Sequence, residues 1–263
     1  MKATVQEKLV SYGNGNGQPD AEAQNVVFIH GAGFDHSVWV MPSRYFARHN
    51  FNVIAPDLPA HGQSQGPHLQ DVETMAMWIH ELLDVLDVEE AHIVGHSLGS
   101  LVGLSYAAQF PQATTSLSLL GTSNPMPVGP VLLDAAADNH LAAFAMANTW
   151  SHGNSGAMGA SLVPGTSNYF SGQRWLERMS DDVYHADLSA CNKFSLDLQL
   201  VQCPSMVIVA QQDKMTAMKN GLKVAQTLGS TVVEIPNAGH SMLSEQPNLV
   251  LDALAGFISG HSS

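Results

Sequence analysis

Short apolar runs alternate with helical patterns along most of this chain, and that alternation restricts the fold more than any other feature. Four early runs, NVVFIH (25–30), FNVIAPD (51–57), EAHIVG (90–95) and TSLSLLG (115–121), are rich in Val and Ile and end on Gly, His or Asp, as buried strands do. Helical patterns fill the gaps at 36–49, 71–87 and 98–109. In the second of these, Met75, Ile79, Leu82, Leu83 and Leu86 recur at three- and four-residue spacing and share one face. The C-terminal third repeats the rhythm: SMVIVAQQD (205–213), a helix over 215–228, STVVEIPNAGH (230–240) and a helix over 247–259. In the last helix Val250, Leu254, Phe257 and Ile258 form the inward stripe, and Pro247 suits its first turn. Strands separated by helices join as parallel neighbours through crossovers. The expected fold is therefore α/β, a mostly parallel twisted sheet flanked by helices.

From 124 to 200 the rhythm breaks. NPMPVGP is proline-rich, and SHGNSGAMGASLVPGTSNYFSGQ is small and polar, between helical patterns over 130–150 and 186–198. Trp150, Tyr169, Phe170 and Trp175 need apolar partners, which argues against a disordered linker. The expectation is a small helical cap at 124–200, inserted into a core made of residues 1–123 and 201–263.

Charge narrows the function. The 263 residues carry 10 Lys+Arg against 23 Asp+Glu, a formal net charge of −13. That balance disfavours nucleic acid and anionic lipid as partners, since both are held by clustered cations. The first twenty residues, MKATVQEKLVSYGNGNGQPD, have no apolar signal core, and no apolar run is long enough to span a bilayer. The expectation is a cytoplasmic protein with no membrane partner, in which Cys191 and Cys203 are reduced thiols. Neither cysteine sits beside a His/Cys cluster, so neither a metal nor any other cofactor is expected; the oligomeric state is not legible.

The chemistry concentrates at VGHSLGS. Ser97 lies between Gly95 and Gly99, with a strand before it and a helix after it. A serine on a sharp strand-to-helix turn projects its hydroxyl above the sheet, and small neighbours make room for that backbone. Gly99, Gly103 and Ala107 continue as a small-residue stripe that lets the helix lie close to the sheet. With HGAGFDHSVW, DLPAHGQS, GHSLGS, QQDKM and AGHSMLSEQP in this order, the chain resembles the α/β-hydrolase fold family over nearly its whole length outside the cap. Ala60 departs from the family's usual glycine in the DLPAHGQS turn.

The resemblance implies a Ser–acid–His order, with Ser97 as nucleophile, Asp213 as orienting acid and His240 as base. A second family position for the acid, after TSLSLLG, offers only Thr122, Ser123 and Asn124. His96, beside the nucleophile, is expected to be a packed neighbour. His30, Asp57, His61 and Ser64 are given no catalytic role. The oxyanion needs two aimed N–H groups. One is expected from Leu98 at the start of a helix; the resemblance places the other at Ala32, with Gly33 as the rival. Phe34, Met126, Met146, Trp150 and Trp175 are candidates for the pocket wall, although each of the last four also suits a simple cap core.

The function this implies is hydrolysis of a small to medium carboxylic ester or lactone through an acyl-enzyme. The same triad also serves C–C bond hydrolysis, acyl transfer, thioester cleavage or perhydrolysis, and the fold also serves small-molecule receptors with slow turnover. A serine nucleophile excludes the aspartate-dependent dehalogenases and epoxide hydrolases of this fold.

Overall fold

The computed structural model describes residues 1–138, 140–162, 165–179 and 182–261. The chain opens with β1 (Lys2–Val5) and β2 (Lys8–Gly13), then runs through β3 (Gln24–Ile29), α1 (Val40–Arg48), β4 (Phe51–Pro56), α2 (Val72–Val85), β5 (Ala91–His96), α3 (Leu98–Gln109) and β6 (Thr114–Leu120). It then leaves the sheet for α4 (Pro130–Asp138), α5 (His140–Ser151), α6 (Asn154–Ala157), α7 (Asn168–Leu176) and α8 (Val183–Lys193). It returns as β7 (Ser205–Ala210), α9 (Met218–Leu228), β8 (Thr231–Ile235), α10 (Met242–Glu245) and α11 (Pro247–Ser259). The eight strands form one sheet in the order β1-β2-β4-β3-β5-β6-β7-β8. From β4 to β8 every pair is parallel; β1–β2 and β2–β4 are antiparallel. The α/β class expected from the alternation is therefore the observed one.

Helices cover both faces. On one side Met75, Ile79, Leu82 and Leu83 of α2 and Leu101, Leu104 and Tyr106 of α3 pack with Val27, Ile93 and Leu117 of the sheet. On the other, Phe46 of α1 and Val250, Leu254, Phe257 and Ile258 of α11 pack with Phe28, Val94 and Ile208. A third, separate core joins Leu132, Phe144, Leu176, Tyr184 and Leu188 of the helices between β6 and β7. Ala32, Phe34 and Met215, from loops after β3 and β7, pack against it.

Strand order fixes where a ligand can sit. From β3 the chain goes to β4 on one side, then crosses back to β5 on the other. Such a reversal opens a crevice at the carboxyl ends of the two diverging strands, which are β3 and β5. Ala32 follows β3 and Ser97 follows β5.

Several boundaries differ from the sequence expectation. The strands expected to reach 213 and 240 end at Ala210 and Ile235, because the next residues leave the sheet as loops above its edge. The helical pattern over 186–198 is α8, Val183–Lys193, followed by a separate turn at Leu198–Leu200. Phe170 is 69% exposed, so its size did not predict burial. No helix among the described residues is long and apolar enough to cross a membrane.

Candidate active site

The backbone at Ser97 explains its glycines. Ser97 has φ 55° and ψ −121°, a left-handed conformation unusual for a side-chain-bearing residue. A Cβ on Gly95 would strike the Gly99 carbonyl, and one on Gly99 would strike the carbonyls of Ile29 and His30. The elbow is pinned on both sides. Ser97 N–H donates to Leu120 O at 2.9 Å, and Ser100 Oγ donates to Ser97 O at 2.6 Å. Leu98 opens α3, so its N–H has no intrahelical carbonyl to reach.

Asp213 and His240 stand on the loops after β7 and β8. His240 Nδ1 lies 2.8 Å from Asp213 Oδ2, and both residues are buried. The other carboxylate oxygen, Oδ1, accepts the N–H groups of Met215 and Thr216 at 2.9 and 2.8 Å. Thr216 Oγ1 donates to Oδ2 at 2.8 Å and lies 3.1 Å from His240 Nδ1. Burial works against ionisation of Asp213, but His240 and these donors outweigh it and hold its pKa below the usual carboxylate value. Facing a carboxylate, Nδ1 is the nitrogen that donates, so in the neutral tautomer the lone pair is on Nε2.

His96 does more than fill space. Its Nε2 donates to His240 O at 2.9 Å, so it braces the backbone of the loop. Burial, reinforced by neighbouring His240, holds its pKa down to about 3, which keeps it neutral. Thr216 and this bracing role carried no local sequence signal. Glu245 is a further silent participant: its carboxylate accepts Gly239 N–H at 2.7 Å and Gly153 N–H at 2.9 Å.

On the opposite wall, the loop after β3 is held peptide by peptide. His30 Nε2 accepts Leu58 N–H at 3.1 Å, so Nδ1 carries the proton and donates to Gly31 O at 2.9 Å. Gly33 N–H donates to Asp187 Oδ2 at 2.8 Å. Of the two rival N–H groups, Gly33's is therefore occupied.

Ser97, His240, Ala32, Phe34, Met126 and Trp150 all line one cavity of about 240 Å³. Met146 and Trp175 do not line it. Ala147, Trp150 and Ser151 turn one face of α5 to the cavity, and Met146 sits about a quarter-turn away; it packs instead in the core of the inserted helices. Trp175 packs edge-on against Phe34, ring centroids 6.0 Å apart, and faces a separate depression beside Asp57.

Among the described residues, Asp35, His36 and Asp57 group closely enough to suggest cation ligands. Both oxygens of Asp57 and one of Asp35 are engaged within the protein: Asp57 Oδ1 takes His36 Nδ1 at 2.6 Å, Asp57 Oδ2 takes Gln63 N–H, and Asp35 Oδ1 takes Ser37 N–H.

Comparison with known proteins agrees with this architecture. An uncharacterised protein of Mycobacterium tuberculosis is 43% identical over 96 residues, a match spanning 36% of this chain and 28% of that protein. A putative carbamate hydrolase, RutD, of Caulobacter sp. strain K31 is 26% identical over 94% of this chain and 95% of its own length. The 3-oxoadipate enol-lactonase 1 of Acinetobacter baylyi is 23% identical over 92% of this chain and 91% of its own. A solved thermophilic esterase superposes with a TM-score of 0.81 at 27% identity, covering 100% of this chain and 98% of that one. Residues 24–247 match the family described as the alpha/beta hydrolase fold, and with this sheet order and this elbow the chain belongs to that family.

Proposed function

We propose that this protein is a serine hydrolase of small to medium carboxylic esters or lactones, acting through an acyl-enzyme. The observation that carries the reading is the buried Asp213–His240 pair, 2.8 Å apart, whose imidazole shares one cavity with Ser97. In this mechanism Ser97 Oγ attacks the substrate carbonyl carbon and gives its proton to His240 Nε2. Asp213 holds the imidazole in the Nδ1–H tautomer and balances the imidazolium that forms. The oxyanion is met by the N–H groups of Leu98 and Ala32. His240 then passes its proton to the leaving alcohol, and water, activated by the same imidazole, releases the acid.

The cavity supports the size class. At about 240 Å³ it lies below the roughly 300–1,000 Å³ of pockets that hold drug-sized ligands. Residues 124–200 act as a cap, supplying Met126, Ala147 and Trp150 to its wall. Likeness to an esterase and an enol-lactonase supports the bond class. Likeness over nearly the full length to a putative carbamate hydrolase brings carbamates in as the second carbonyl class. The test is turnover of 4-nitrophenyl esters, simple lactones and carbamates by wild type and Ser97→Ala, with labelling by a serine-directed phosphonate. The expected result is ester turnover that disappears in Ser97→Ala, with label on Ser97 only. Retained turnover in that variant removes Ser97 from the mechanism.

A further inference from the structure

Asp187 lies on α8, which sequence reading left without a chemical role. It is wholly buried, and its Oδ2 meets two donors from the core: Gly33 N–H at 2.8 Å and His61 Nε2 at 2.9 Å. Its Oδ1 is buried with no hydrogen-bond partner. A half-satisfied buried carboxylate is costly, and an apolar pair of similar volume holds elements together at least as well. Cohesion alone does not account for it.

The second partner is also charged. His61 Nδ1 faces Pro59 O at 3.1 Å and Nε2 faces the carboxylate, so both ring nitrogens must donate and the ring is an imidazolium. Burial disfavours that charge, but Asp187 outweighs it and raises the pKa above the ordinary histidine value.

The position of Gly33 gives the pair its purpose. The Ala32 N–H belongs to the Gly31–Ala32 peptide, and a trans peptide points its N–H away from its carbonyl. His30 Nδ1–H and Phe34 N–H hold Gly31 O at 2.9 and 3.2 Å, which fixes that plane. The next plane, Ala32–Gly33, ends in the N–H that Asp187 holds. Two consecutive planes are thus anchored, and with them both dihedrals of Ala32. Met179 and Tyr184, also in the segment between β6 and β7, close over Gly33 so tightly that a Cβ there would lie 2.5 Å from Met179 Sδ and 3.0 Å from Tyr184 Cδ2.

We propose that Asp187, paired with His61, is a positioning residue that aims the Ala32 N–H at the oxyanion, so that the inserted helices complete the catalytic loop they cover. This rests on the ester-hydrolase reading above. Asp187→Asn keeps the shape, but its neutral carbonyl oxygen holds the Gly33 N–H more weakly than a carboxylate oxygen does and no longer supports an imidazolium at His61. The expected result is a 10–100-fold lower kcat with KM within threefold, below the roughly 10²–10³-fold cost of losing an oxyanion donor outright. Affinity for an alkyl boronic acid, which forms a tetrahedral adduct on the nucleophile, falls by a similar factor. A merely structural role lowers Tm but leaves kcat per titrated active site and boronate affinity unchanged. Folded Asp187→Asn with both within twofold of wild type overturns the proposal.

Ser97→Ala runs beside it: turnover surviving there sinks the serine mechanism itself, whereas an inactive Ser97→Ala beside a normal Asp187→Asn sinks only this inference. Should Asp187→Asn not fold, wild type decides by pH. His61 is faced by His30, Asp57 and Asp187; Tyr184 and Cys191, which face Asp187, are pushed up by burial and stay protonated in the working range. Followed by NMR on labelled histidine, loss of the His61 proton on the alkaline side is expected to lower kcat and boronate affinity together. A kcat that stays flat through that titration overturns the proposal.

Discussion

Asp213→Asn separates the orienting acid from the structural work its side chain also does. Asp213 Oδ1 accepts two backbone N–H groups, from Met215 and Thr216, while Oδ2 faces His240 Nδ1 and the Thr216 hydroxyl. An asparagine amide must put its carbonyl oxygen at one position and its NH2 at the other. Placing NH2 at the Oδ1 position strands two buried donors, at about 1–3 kcal/mol each. The amide is therefore pinned with its oxygen on the two N–H groups and its NH2 toward His240. Nδ1 then has to accept, the ring proton moves to Nε2, and the nitrogen serving Ser97 loses its lone pair. Removing the carboxylate in this way from a serine–histidine system costs about 10⁴ in kcat, or about 5.5 kcal/mol of barrier. Folding is affected far less, because both backbone donors keep a partner and the Thr216 hydroxyl can rotate to accept. Asp213→Ala, by contrast, removes the acceptor of all four donors, the two backbone N–H groups, the Thr216 hydroxyl and His240 Nδ1–H, and confounds the two effects. The assay is kcat for a 4-nitrophenyl ester from pH 5 to 10, with Tm measured on the same preparations. An Asn variant keeping more than a tenth of wild-type kcat would refute this account of the acid.

Three further outcomes are expected. Thr216→Val removes a 2.8 Å donor to Asp213 Oδ2 and should lower kcat about tenfold, in line with a hydrogen bond to a charged group; unchanged kcat would make the hydroxyl a bystander. His30 and His92 are held down to about 4 and His96 to about 3, chiefly by burial. The unfolded chain therefore binds protons first as pH falls below about 6.5, and each of these histidines removes about 1.4 kcal/mol per pH unit until its folded pKa is reached. Tm should drop steeply from pH 6.5 to 4.5, and a flat Tm there contradicts the neutral assignment of the three rings. Across 4-nitrophenyl esters from acetyl to palmitoyl, rates should decline once the acyl chain outgrows a cavity of about 240 Å³, with no jump at an oil–water interface; a maximum at palmitoyl would mark a lipase.

Elements that obey a period or a short motif were legible. Strands β3 to β8 and helices α2, α3 and α11 stood out because both burial and spacing repeat along them. The elbow was legible because its backbone demands small residues within four positions of one another. The hairpin β1–β2 was not. It forms one edge of the sheet, Lys2, Thr4 and Lys8 are exposed, and its turn places Gln6 and Glu7 at φ 48° and 62° without the Asn or Gly that usually marks such a turn. Met146 and Trp175 illustrate a different limit. Apolar size says that a side chain seeks partners, not which of two neighbouring surfaces supplies them. Asp187 lies 154 residues from Gly33 and 126 from His61, so no local pattern could connect them.

The same long-range contacts bear on how the site is assembled. Each of the three loops around the cavity bonds to the segment between β6 and β7. Gly33 N–H reaches Asp187, Gln212 beside the acid accepts Asn154 N–H at 2.7 Å, and Ser241 N–H, next to His240, donates to Ser151 O at 2.8 Å. Glu245 adds a fourth tie by holding Gly153 and Gly239 together. Hydrogen bonds this far apart in sequence form only when the segment is seated. The strands bring Ser97, Asp213 and His240 to the crevice, and these hydrogen bonds tie the loops that carry Gly33, Asp213 and His240 to the segment between β6 and β7. Substitutions at those contacts are therefore expected to act on kcat as well as on substrate choice, whereas exposed positions of the same helices, such as Phe170 and Met158, should leave kcat alone.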